Sequence, residues 1–199
     1  MTQSLFNHDI SINKIREQYF IQQLQEKYQQ SVTHGDKSEE FAGIDYKING
    51  QTFDMKWTDI RRPTYAVEIS YLNAYNQLKT GWFLDESHVT DVAIFVEADP
   101  KYDQIHAFMF NLAELRQLIY ANISKTGILQ AHNELKQSHQ TRQNLTQSGL
   151  RLVWTPSLKE SPVNLVIPQS WYQQLPSYQD ISSTFGQYSD YLDFVNLQK

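Results

Sequence analysis

The stretch GIDYKINGQTFDMKW, Gly43 to Trp57, decides how this chain is read. Asn49-Gly50 stands between two runs in which apolar and polar residues alternate, a strong short-range signal for a hairpin closed by a two-residue turn. With that turn at its centre, Ile48 faces Gln51, Lys47 faces Thr52, Tyr46 faces Phe53, and Asp45 falls opposite Asp54. Strand side chains alternate, so Ile44, Tyr46, Phe53, Met55 and Trp57 share a core face while Asp45, Thr52, Asp54 and Lys56 share the other. Two carboxylates facing each other across strands repel by roughly 0.2–1 kcal/mol. A divalent cation would offset this, because hard oxygen ligands suit Mg²⁺; Lys56, one pleat along, would offset part of it. A solvated face that merely carries two acids and a lysine is the plain alternative, and a bulge would break the facing pair.

On the N-terminal side, INKIREQYFIQQLQEKY predicts a helix over about residues 14–30, with Phe20, Ile21, Leu24 and Tyr28 as its apolar stripe. Glu17 falls near the middle of that stripe and Glu26 on the polar side. A glutamate on a buried face is costly unless paired or bound to a cation, although near a helix start it can also escape to water. Residues 1–13 are expected to be a loose lead-in. Downstream, the proline of DIRRP ends ladder pairing, and a third strand follows over Tyr65–Tyr71. There Val67 and Ile69 point one way and Glu68 and Ser70 the other. Glu68 is either a further acid of the cluster or a structural partner for Lys56, Arg61 or Arg62.

A mixed helix-loop segment, LNAYNQLKTGWFLDESH, leads to two strands, DVAIFVEA and QIHAFMFNL, and a helix, LAELRQLIYANI. The order is that of an α/β protein built on a mixed sheet. In the last third, ILQAHNELKQSHQTRQN predicts an exposed glutamine-rich helix, LRLVWTP and VNLVIP short strands, and SWYQQLPSY and SDYLDFVNL short helices. His132 and His139 lie seven apart on that exposed helix, not at the spacing of a helical zinc pair. Neither a Gly-rich phosphate loop nor a Gly-x-Ser-x-Gly elbow is present.

The 199 residues suit one domain over 1–199 with a sizeable core. Twelve Tyr and ten Phe argue against wholesale disorder. The absence of cysteine excludes a disulfide framework and thiolate metal sites, and fits a cytoplasmic location. A net charge of -5 counts against nonspecific coating of nucleic acid. The N-terminus lacks the pattern of a secretory signal, and no apolar run reaches membrane-spanning length, so no membrane partner is expected.

An inward acid on a helix, then an Asp, then Asp-x-Lys on the next strand, resembles the PD-(D/E)XK nuclease superfamily. Asp45 matches the first motif acid, preceded here by Gly-Ile rather than Pro; Asp54-Met55-Lys56 matches the (D/E)-x-K element; Glu17 matches an acid many members carry on the first helix. The resemblance covers about residues 14–120, leaving 121–199 as a C-terminal extension. It implies a restriction-endonuclease-like mixed sheet flanked by helices, with an αβββαβ core. It further implies hydrolysis of phosphodiesters with Mg²⁺ or Mn²⁺, DNA as the substrate of an endonuclease, pairing into a homodimer, and a phage or defence setting. Asp45, Asp54 and the Met55 carbonyl would be metal ligands, Glu17 an outer or second-metal ligand, and Lys56 the residue that positions water and phosphate. Arg61, Arg62 and Lys79 would touch nucleic acid, with Trp82 beside them and Glu68 as an accessory acid. The alternative is a catalytically silent module of the same fold that holds nucleic acid or a protein partner.

Overall fold

The computed structural model describes residues 2–29, 31–36, 38–39, 44–58, 64–85 and 87–197, with side chains from residue 14 onward except that of Tyr28. The chain begins with α1 (Thr2–Tyr28), β1 (Val32–His34), β2 (Tyr46–Ile48), β3 (Gln51–Thr58), β4 (Thr64–Leu72), β5 (Leu78–Thr80), β6 (Val92–Asp99) and β7 (Gln104–Asn111). It continues with α2 (Leu112–Asn122), α3 (Lys125–Gln137), β8 (Arg142–Asn144), β9 (Arg151–Trp154) and β10 (Val163–Pro168). It ends with α4 (Gln169–Tyr172), β11 (Gln179–Asp180), a 3-10 turn over Ser182–Thr184 and α5 (Tyr188–Leu197). Among the described residues none of these helices is long and apolar enough to cross a membrane.

The strands form two sheets, ordered β1-β2-β3-β6-β7-β11 and β5-β4-β10-β9-β8. Every pairing is antiparallel except that of β3 with β6. β6 is central and buried on both faces, which is why VAIFVEA reads as a nearly unbroken apolar run. One face of the first sheet, through Ile94 and Val96, packs on Phe20 and Leu24 of α1 and Tyr191 of α5. The other, through Phe95, Phe108 and Phe110, shares a core with Tyr65, Val67 and Leu165 of the second sheet. Phe108 and Tyr172 stack there at 4.9 Å between ring centroids, and Tyr65 meets both rings edge-on.

Four expectations need correction. The third strand does not extend the hairpin sheet: β4 pairs with β5 and β10 in the second sheet, and β6 takes the place beside β3. No helix of the described residues lies between β4 and β6; a short strand and turns fill that interval. The αβββαβ order of a single mixed sheet is therefore not what the chain builds, although the protein is mixed α/β. The N-terminal lead-in is helical from Thr2. The glutamine-rich helix is not exposed all round, because Ile128, Ala131, His132 and Leu135 are buried along one side of α3.

β4 also departs from simple alternation. Val163 is set opposite Ser70 and Asn164 opposite Glu68, so Ile69 has no ladder partner of its own in β10. This bulge buries Ile69 and Ser70 together, instead of sending Ser70 the same way as the half-buried Glu68.

Candidate functional site

The hairpin turn forms as its sequence dictates. Asn49 and Gly50 have φ of 51° and 80°, the left-handed pair that a tight two-residue turn requires. Tyr46, Lys47 and Ile48 face Phe53, Thr52 and Gln51 in the expected register. The ladder then stops. The Asp45 N–H donates to the Phe53 carbonyl at 2.9 Å, so Asp45 and Tyr46 both stand against Phe53, as at a bulge. Asp45 is therefore not squarely opposite Asp54. Its carboxylate instead reaches along β3, where Oδ2 accepts the Met55 N–H at 2.9 Å. Backbone groups two residues apart on a strand point the same way, so the Met55 carbonyl also opens on the side that β2 has vacated.

The bulge still leaves the two carboxyls interacting. Burial, and then the charge of Asp54, push the Asp45 carboxyl up to about 7; Lys56 and the Met55 N–H pull in the opposite direction. Asp54 is 6% exposed, and its Oδ1 accepts from Lys56 Nζ at 2.6 Å. Nearly half of the Lys56 side-chain surface, 45%, is open to the cleft, yet enough atoms crowd its head for burial to oppose the charge. Asp54 and Asp45 overcome that opposition, and the ammonium ends above its ordinary value. Lys56 also lies over the Trp82 ring, 5.7 Å from its centroid.

The segment from Gly81 to Asp91 walls the site. Gly81 is tight against β4: its N–H donates to the Ile69 carbonyl at 2.7 Å, and a Cβ there would lie 2.4 Å from the Glu68 carbonyl oxygen. Arg116 of α2 donates to the Trp82 and Phe83 carbonyls, each at 3.0 Å. At the far end the Asp91 carboxylate accepts the Thr52 N–H at 3.0 Å and its hydroxyl at 2.9 Å. Pinned at both ends, this segment brings half-buried His88 within electrostatic reach of Asp54 and Lys56. Burial lowers the His88 pKa, with Asp85 and Asp54 acting against it. The sequence offered only HVTD as a sign of His88, since neither period nor spacing marks a histidine that arrives on a loop.

Glu17 is half-buried on α1 and shares a cleft of about 230 Å³ with Arg16, Met55, Lys56 and Trp57. The Tyr46 hydroxyl is pushed up by burial and then by Glu17, Asp45 and Asp54, so it feels all three carboxyls. These do not converge: among the described residues no three His, Cys, Asp or Glu side chains gather as a metal-holding group. Glu68 is half-buried in the second sheet, its carboxyl raised by burial and Glu160 and lowered by Lys56. Lys79 lies on edge strand β5 and lines a different groove, beside His132. Arg61 and Arg62 fall outside the described residues.

A second cleft of about 280 Å³ begins at Lys56 and runs between β3 and β4 past Thr58, Thr64 and Tyr65 to the buried Glu97. The assembled site therefore offers two interacting carboxyls, a backbone carbonyl beside them, a partly open ammonium and an imidazole. That set supplies oxygen donors, an N–H donor and groups that accept or release a proton. Comparison with protein-family models, with curated proteins and with solved structures finds no match to this chain.

Proposed function

We propose that the protein is a metal-dependent phosphodiesterase acting on nucleic acid, with DNA as the substrate and Asp45, Asp54 and Lys56 at its centre. The observation that carries this reading is geometric: Asp45 reaches along β3 to accept the Met55 N–H at 2.9 Å, and the buried Asp54 accepts from Lys56 Nζ at 2.6 Å, so burial and the charge of Asp54 push the Asp45 carboxyl up. Such a pair is poised to exchange its proton for a cation. Asp45, Asp54 and the Met55 carbonyl fit as its oxygen donors, and their chemistry suits Mg²⁺ or Mn²⁺. Bound there, the ion would supply charge relief at the phosphate and a more acidic water.

The chain's own groups have distinct parts. Lys56, with nearly half its side chain open, offers N–H donors to a phosphate oxygen or to water. Trp82 beneath it narrows where that ammonium can go. His88, whose pKa burial lowers, lies within electrostatic reach of Asp54 and is the nearby group suited to take or give a proton. The clefts of about 230 and 280 Å³ on either side of Lys56 leave a route for an extended strand. Arg61 and Arg62 follow β3 directly in sequence and are the natural phosphate contacts.

The expected αβββαβ order does not form as one sheet, because β4 lies in the other one. That departure favours a second reading, a silent module that keeps the acids and binds a partner. Calorimetry with Mg²⁺ and Mn²⁺, beside cleavage of plasmid and single-stranded DNA, separates the two. The enzyme reading expects binding heat that Asp54→Ala abolishes and cleavage that EDTA stops. Binding heat without cleavage leaves the silent module; no heat and no cleavage remove both metal and nuclease.

A further inference from the structure

A second polar constellation lies away from the Asp45 cluster, where α3 meets edge strand β5. Ser70 Oγ and His132 Nε2 are 2.8 Å apart, and both residues are buried, at 5% and 4% exposure. His132 Nδ1 is 3.2 Å from Asn133 Oδ1. An amide oxygen only accepts, so Nδ1 carries the proton and Nε2 turns its lone pair to the Ser70 hydroxyl, which donates. Burial lowers the His132 pKa, the Asn133 contact acts against this, and Lys136 adds to the lowering. A neutral imidazole accepting from a serine and held from its other nitrogen is the relation of base to nucleophile in acyl transfer.

A buried Ser–His hydrogen bond can also be a satisfied core pair and nothing more. Two features set this one apart. The bulge opposite Val163 and Asn164 turns Ser70 to the buried side when alternation alone would not. The pair then meets a cavity of about 170 Å³, bounded by Leu78, Lys79 and Thr80 of β5 and by Leu129 of α3. Leu78 and Leu129 are exposed apolar residues on its walls. The volume is below the roughly 300–1,000 Å³ of drug-sized sites, which limits an occupant to a short group.

The geometry points to a serine-nucleophile site at Ser70 and His132 that takes small esters with a short apolar acyl group. Ser70 Oγ bonds to the carbonyl carbon while its proton passes to Nε2. The carbon–oxygen bond to the alcohol breaks, and the alcohol leaves with the Nε2 proton. Water then gives a proton to Nε2, its oxygen attacks the acyl-serine, the acid departs, and Ser70 recovers its proton.

The test uses the full chain and a fluorophosphonate probe, followed by peptide mass spectrometry. Reaction forms an oxygen–phosphorus bond at Ser70 and expels fluoride, the hydroxyl proton passing to His132. The folded chain is expected to carry the adduct on Ser70, the heat-denatured chain to lack it, and EDTA to leave labelling unchanged. Ser70→Ala should remove the adduct, and His132→Gln should slow labelling about 100-fold. Because substitutions at buried positions put folding at risk, the folded-against-denatured comparison stands without them. A folded chain without the adduct, equal labelling after denaturation, or an undiminished rate in folded His132→Gln would overturn the proposal.

Discussion

Replacing Asp45 by Asn removes one titrating proton while keeping an acceptor for the Met55 N–H. In the folded chain the Asp45 carboxyl titrates at about 7, against 3.8 for the unperturbed group. The folded state therefore holds that proton more tightly than the unfolded state between those values. Its contribution to stability is complete below the lower value and lost as pH rises through the upper one. At 1.36 kcal/mol per pKa unit the whole loss is about 4 kcal/mol, of which about 2.5 kcal/mol falls between pH 5 and pH 8. Urea unfolding of wild type and Asp45→Asn at those two pH values reads the titration of Asp45 together with the groups coupled to it, because titrations elsewhere in the chain cancel. Wild type should lose about 2.5 kcal/mol more than the variant, a midpoint difference of about 1 M for a urea slope near 2 kcal/mol/M. Equal losses in the two chains would show that Asp45 is neither buried nor pressed against Asp54, and would remove Asp45 as a cation ligand.

Other outcomes follow from neighbouring contacts. Metal affinity, read by calorimetry, should weaken about tenfold per pH unit below 7, since Asp45 must give up its proton first; a flat profile would exclude it as a ligand. Lys56→Met strands the Asp54 carboxylate at 6% exposure and should lower stability by about 1–2 kcal/mol, discounted because Lys56 is half open to water, while eliminating DNA cleavage. Gly81→Ala puts a methyl 2.4 Å from the Glu68 carbonyl oxygen and should destabilise by about 1–3 kcal/mol in chemical denaturation. Gly50→Ala, at φ 80° with nothing nearby, should cost only about 1 kcal/mol and leave metal binding intact.

The hairpin was legible because its information is local: Asn-Gly sets the turn, and alternation sets which side chains share a face. The bulge at Asp45 was not, since it depends on the neighbouring strand: Gly35, just past β1, donates to the Asp45 carbonyl. The sheet to which β4 belongs is equally invisible, because YAVEISY alternates in the same way whichever neighbour it pairs with. Alternation also put Ser70 on the side of Glu68, and only the partner strand β10 reveals the skipped residue that turns it the other way. Ile128, Ala131, His132 and Leu135 do repeat at helical spacing; their stripe was masked by the surrounding glutamines. HVTD marked His88 without placing it, because a loop held by Arg116 and Asp91 takes its position from contacts far along the chain.

The detour of the chain from β3 into the other sheet and back to β6 orders events during folding. A hairpin closed by two residues zips within about 1–10 μs, so Asp45 and Asp54 meet early, while both are hydrated and repel weakly. β6 can reach β3 only after β4 and β5 have looped out, a slower search. The expense of drying two negative groups is then charged to the later step, when β6 and the second sheet dock against the hairpin. Acid, by leaving a proton between the carboxyls, should quicken that late step and spare the early one.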